Sequence, residues 1–168
     1  MKKPSFLLAA VLAVTATSAV MADTKTSTFQ VLINVAKACS VTAGNASNIN
    51  FGTVDSSATG LSASGNISVT CSKTTPYNVG LTPSNTDTAG AGVMSGVPGN
   101  SDTVAYQLRS VSATGPVWGS TATPTAVGNG VAGTGNGAAQ TIPVFATVAS
   151  ANVTPGAYAD TVTVTVNY

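Results

Sequence analysis

Histidine and glutamate are absent from the 168 residues, and charge of either sign is scarce, with six Lys and Arg against five Asp. Each shortage excludes a class of function. Without imidazole, Ser-His-Asp, Cys-His and HExxH-type chemistry cannot be assembled. A net charge of +1 provides no basic field for nucleic acid. Only two cysteines are present, too few for a structural zinc site when no histidine can complete it. No apolar run approaches the roughly 20 residues of a membrane-spanning helix. What is abundant is equally telling: 26 Thr, 22 Val and 17 Gly within a chain that is 43% apolar. Low charge often marks disorder, but disordered chains are poor in β-branched residues. The composition predicts an all-β protein without cofactor or catalytic residues.

The N-terminus is excluded from the fold. Lys2 and Lys3 precede an apolar run over residues 6–14, and Val20-Met-Ala22 places small residues at cleavage positions, so residues 1–22 read as a secretory signal peptide. Cleavage after Ala22 leaves 146 residues with Lys25, Lys37, Lys73 and Arg109 against five Asp, a net charge of −1 and room for one domain. In an oxidising compartment a lone pair of cysteines is expected to bond, so Cys39 and Cys71 are assigned to a structural disulfide.

Period-2 segments recur between Gly, Pro, Asn and Ser clusters, at 48–54, 66–71, 77–82, 104–111, 140–148 and 158–168. In the last, Tyr158, Val162, Val164, Val166 and Tyr168 share one face while Thr161, Thr163 and Thr165 share the other. Such strands with turn signals between them predict an antiparallel immunoglobulin-like sandwich. Two stretches rich in Gly, Ala, Ser and Thr, 83–102 and 120–139, read as mobile surface loops.

One further alternating segment, residues 28–37, precedes Cys39 at the start of the exported chain. Phe29, Val31, Ile33 and Val35 fall on one face, with Gln30, Leu32 and Asn34 on the other. It reads either as an ordinary first strand or as a strand donated to the sheet of a neighbouring subunit.

Taken in order along the chain, these features resemble a known family. They are the four alternating apolar residues ending four positions before Cys39, Phe51-Gly52, the Asn66-Ile-Ser-Val-Thr-Cys71 strand, Tyr106-Gln-Leu-Arg109, Val117-Trp-Gly119, and the terminal segment from Pro155 to Tyr168. The sequence is similar to the spore coat protein U domain family, which includes major rod subunits of archaic, Csu-type chaperone-usher pili. The resemblance implies an incomplete immunoglobulin-like β-sandwich, lacking one strand and completed by a donor strand from a neighbouring subunit. The implied organisation is a donor segment at 23–37 and a pilin domain at 38–168. Phe29, Val31, Ile33 and Val35 become the donor side chains, and Val162, Val164 and Val166 line the acceptor groove. Tyr168 becomes a candidate chaperone contact. The implied partners are identical or homologous subunits in a head-to-tail polymer, a periplasmic chaperone and an outer-membrane usher. The implied location is a cell-surface fimbrium that supports adhesion and biofilm formation.

Other motifs weigh little. Gly128-Asn-Gly-Val-Ala-Gly133 matches GxGxxG but precedes no helical pattern and no acidic residue about 20 positions on. Asp87 and Asp102 lie outside any calcium-loop spacing. Asn45, Asn66 and Asn152 begin N-x-S/T triplets that a Thr-rich chain produces by coincidence. Tyr106, Arg109 and Trp118 would suit stacking on a sugar, which makes a carbohydrate-binding adhesin the alternative function, alongside a spore or outer-coat structural protein.

Overall fold

The computed structural model describes residues 21–168. The assigned signal peptide therefore lies outside the described residues apart from its last two positions. The chain divides into two units, Met1–Asn34 and Val35–Tyr168. In the described part of the first, no helix or strand forms, and Phe29, Val31, Leu32 and Ile33 are exposed. The strand expected over 28–37 is thus not observed. An alternating segment without a ladder partner has no hydrogen bonds to hold it as a strand.

The second unit contains nine strands: β1 (Cys39–Thr42), β2 (Thr59–Cys71), β3 (Pro76–Pro83), β4 (Ala91–Gly96), β5 (Thr103–Arg109), β6 (Val131–Thr134), β7 (Ala139–Ser150), β8 (Tyr158–Ala159) and β9 (Val162–Asn167). A single 3₁₀ turn at Asn45–Ser47 follows β1. Six strands form one sheet in the order β1-β2-β7-β5-β4-β8, and three form another in the order β6-β3-β9. Every pairing is antiparallel. The all-β class and antiparallel sheets expected from composition and alternation are observed.

The core lies where inward residues of both sheets meet. Ile67, Val69 and Cys71 of β2 and Val144, Ala146 and Val148 of β7 are buried on one side, with Tyr77, Val79 and Leu81 of β3 on the other. Alternation explains these strands directly, since period-2 placement of β-branched residues puts one face in the core and leaves Ser, Thr and Asn outside. Cys39 and Cys71 stand directly opposite each other in the β1–β2 ladder and are joined by a disulfide. Closing a loop of that length contributes roughly 3 to 4 kcal/mol by restricting the unfolded chain.

Trp118 joins the two layers. It is fully buried, its indole N–H donates to the Val79 carbonyl at 2.9 Å, and its backbone N–H donates to Leu108 at 3.0 Å. The next residue, Gly119, accepts from the Leu81 N–H at 2.8 Å, so this short segment is bonded to both sheets.

Three expectations require correction. The segment 48–54 forms no strand; it follows the 3₁₀ turn, with Ile49 and Phe51 half-buried against the core. The stretches 83–102 and 120–139 are not simply loops, because they contain β4 and β6. Their pattern is hidden because aromatic rings occupy the space that side chains would take. Gly92 of β4 pairs with Tyr106 and Gly133 of β6 pairs with Tyr77, and a Cβ at either position would fall within 2.0 or 2.3 Å of the facing ring. An aromatic residue covering a cross-strand glycine restores the packing that the glycine lacks. The remainder of 120–139 is tied down by Asn129, which accepts from the Thr121 hydroxyl at 2.8 Å and donates to the Thr88 carbonyl at 2.7 Å.

The third correction concerns the C-terminal segment, expected as one strand over 158–168. It divides at Asp160-Thr161: β8 pairs with β4 in the six-stranded sheet, whereas β9 pairs with β3 in the other. Asp160 secures the crossing. One carboxylate oxygen accepts from the Thr161 N–H at 2.7 Å, and the other accepts from the Tyr106 hydroxyl at 2.6 Å.

Candidate functional site

β9 is bonded to β3 on one side and is the edge strand of its sheet on the other. Alternate N–H and C=O groups along an edge strand point away from the partner that is present. Beside this edge lies an open groove of about 510 Å³. Its floor consists of core side chains, Ile67, Leu81, Leu108, Val144 and Ala146. One bank is the segment after β1, including Ile49 and Phe51; the other runs from Tyr158 through Val162 to Val164. A sandwich interior that opens at a free strand edge offers two things to an extended segment: apolar pockets at alternate positions and backbone partners.

The expected groove residues fall as follows. Val162 and Val164 line the groove, and Val166 packs against the core on the same face of β9. Tyr168 lies just beyond β9, 39% exposed, with the Lys37 ammonium 5.6 Å from its ring centre. Val35 is exposed, as are Phe29, Val31 and Ile33. The disulfide fixes the start of β1, four residues after Val35.

Sequence reasoning missed the polar end of the groove. Tyr106 and Asp160 both line it, and among the described residues Asp160 is the only charged side chain that does. Burial, and then the bond to Asp160, push the Tyr106 hydroxyl well above the ordinary tyrosine range. For Asp160, burial works toward a raised pKa, but hydrogen bonds from Ser84, Tyr106 and Thr161 outweigh it and hold the carboxyl below its ordinary value. The signal was available, since Asp160 has the same parity as Tyr158 and Val162 and so occupies an inward position of the alternating run.

The close approach of Tyr106 to Gly92 gives a testable consequence. Gly92→Ala places a methyl group where the Tyr106 ring lies and should displace the ring from Asp160. The expected cost is about 1 to 3 kcal/mol, the usual range for overpacking. A fall in the urea midpoint with an unchanged m-value would show it.

The other candidates have structural employment. Asp87 accepts from the Ala89 and Ala91 N–H groups at 2.8 and 2.9 Å, which shapes the turn into β4. Asp102 accepts from the N–H and hydroxyl of Thr154, and these bonds lower its pKa. A sugar-stacking platform of Tyr106, Arg109 and Trp118 is not formed: Trp118 is buried, Tyr106 lies within the groove, and Arg109 donates to the Gly115 carbonyl at 2.8 Å.

Two comparisons with known proteins bear on the groove. The profile described as the Spore Coat Protein U domain matches residues 25–165. Among solved structures, the chain is similar to one in the CsuC–CsuE chaperone–tip adhesion subunit pre-assembly complex, from archaic chaperone-usher Csu pili of Acinetobacter baumannii. The identity is 26%, the TM-score 0.50, and the match covers 80% of this chain. It spans 40% of the length of the solved chain. No curated protein matches.

Proposed function

The chain belongs to the spore coat protein U domain family, whose profile spans residues 25–165, and from that premise we propose that it is a structural subunit of a chaperone-usher pilus. In this reading it is a rod subunit that polymerises by donor-strand exchange, the fibre supporting surface adhesion and biofilm formation. The observation that carries the reading is the open groove beside the free edge of β9, on a chain whose N-terminal segment exposes four alternating apolar side chains. Phe29, Val31, Ile33 and Val35 of one subunit would enter the groove of the next. Val162, Val164 and Val166 would receive them.

The arrangement suits a fibre. Donor and acceptor surfaces differ, so each contact is heterologous and the chain of contacts does not close on itself. An open strand edge is also an aggregation hazard before assembly. That hazard gives a periplasmic chaperone a role, and the solved relative is a complex of a chaperone with a pilus subunit. Export through the periplasm and an outer-membrane usher would complete the route.

The reading is tested on the exported protein itself. Unheated material in SDS should run as a ladder of multimers that collapses to monomer on boiling, and electron microscopy should show thin fibres. Protein that is monomeric at every concentration, before and after removal of any chaperone, would refute it.

A further inference from the structure

If the groove receives the N-terminal segment of a neighbour, the incoming strand can be matched to β9 in a limited number of ways, and charge selects among them. Directly opposed residues of an antiparallel pair share a face. With Val35 opposite Val162, Ile33 falls opposite Val164, Val31 opposite Val166 and Phe29 opposite Tyr168, so that the four apolar donor positions meet the three valines of β9 and the tyrosine just beyond it. The same register carried one step further places Lys37 opposite Asp160. In the parallel direction Phe29 meets Val162, Ser27 falls at the Asp160 position, and Lys37 lies beyond Tyr168.

We propose that Lys37 of the donor subunit pairs with Asp160 of the acceptor, and that this ion pair locks the strand in a single register. The inference rests on the donor-strand reading above. Among the described residues Asp160 is the only charged side chain lining the groove, and it stands at its polar end, held by Tyr106 and Thr161. Hydrogen bonds from Ser84, Tyr106 and Thr161 outweigh its burial and favour the ionised form. The titratable and charged neighbourhood facing it consists of the Tyr106 hydroxyl, with Tyr158 also lining that end of the groove; no cation among the groove-lining residues competes for it. Lys37 is positioned to serve. It follows the last apolar donor residue by two, and in the free subunit its ammonium lies 5.6 Å from the ring centre of the partly exposed Tyr168, a cation–π contact readily exchanged.

The pair does work that the apolar residues cannot. Four similar aliphatic and aromatic knobs at a spacing of two tolerate a slip of two residues, which leaves every side chain on the correct face. In the slipped register that places Val35 at Asp160, an apolar side chain meets a carboxylate and Lys37 finds no anion. In the opposite slip, Lys37 meets the apolar Val162 and Asp160 faces the uncharged Cys39. Register is therefore specified by one charge on each chain.

The test uses the full chain and measures assembly rate and cross-linking. Lys37→Glu and Asp160→Asn should each slow fibre growth about tenfold at low ionic strength, and the difference should shrink toward 0.5 M salt, roughly a 4 Å screening length. Asp160→Asn retains an acceptor for Tyr106, and circular dichroism verifies its fold. Lys37→Arg, which keeps the charge, should retain at least a third of the wild-type rate. For register, chains carrying Val35→Cys mixed with chains carrying Val162→Cys should form a cross-linked dimer, whereas Phe29→Cys with Val162→Cys should not. A Lys37→Glu chain that assembles at the wild-type rate in low salt would overturn the proposal, as would cross-linking through Phe29. Both outcomes leave the donor-strand reading standing, because that reading is decided by whether the wild-type chain forms a ladder and whether charges at Val31 and Ile33 abolish it.

Discussion

Aspartate at both Val31 and Ile33 should leave a folded subunit that no longer enters fibres. Both side chains are almost fully exposed in the isolated chain, at 87% and 89%, and lie outside every strand. Substitutions at such positions change domain stability by no more than about 0.5 kcal/mol. In the polymer the same positions would be buried. Two of four apolar anchors are then lost, at roughly 1.5 to 3 kcal/mol each, which corresponds to a factor of about 10² to 10⁴ in affinity. The carboxylates add to that loss, because a charge buried without a partner costs several kcal/mol more. The expected result is an unchanged urea midpoint for the monomer together with disappearance of the SDS-resistant ladder. A ladder that survives the double substitution would show that this segment is not the donor. A lowered midpoint would show instead that residues 28–37 pair within their own domain, as an ordinary first strand.

The contrast between the strands explains what could be read from sequence. β2, β3, β5 and β7 carry alternating Ile, Val, Leu and Tyr, and their core faces are legible from residues alone, as is the Cys39–Cys71 bond. β4 and β6 are not legible, because half of their packing is supplied from across the sheet by Tyr106 and Tyr77 over glycines. A glycine that serves as a seat for a ring looks like a loop residue when only its own chain segment is considered. The division of the C-terminal run at Asp160 was hidden for a related reason. Parity continues through it, and only tertiary partners reveal that the chain changes sheets there. For the groove, the valines of β9 follow from alternation, while its floor is built by β2, β3, β5 and β7 and becomes visible only when the sheets are assembled. The bank from Ile49 to Phe51 has the period of a strand but none of the pairing.

Trp118→Ala should be the most damaging single change in the domain, and it separates packing from recognition. Truncating a buried tryptophan costs about 3 to 5 kcal/mol from lost contacts and the cavity left behind. The Val79 carbonyl loses its 2.9 Å indole donor as well, which adds about 1 kcal/mol or more if no water replaces it. Domains of this size have roughly 5 to 15 kcal/mol in hand, and a subunit with an open groove starts toward the lower end. Half or more of the total stability is therefore at stake. The measurement is best made with Asp at both Val31 and Ile33, so that unfolding is not coupled to assembly. There the urea midpoint should fall steeply at an unchanged m-value, and Trp118→Phe, which retains a ring but no N–H, should lose less than half as much. The segment around Trp118 bonds to Leu108 in one sheet and to Leu81 in the other, so its loss also loosens the separation of the two layers that defines the groove. Fibre growth at 37 °C should accordingly fall with stability and recover on cooling the Phe variant. A Trp118→Ala chain of wild-type stability that had lost only the ability to bind a sugar would reverse the assignment, making the residue a recognition platform and the adhesin reading the better one.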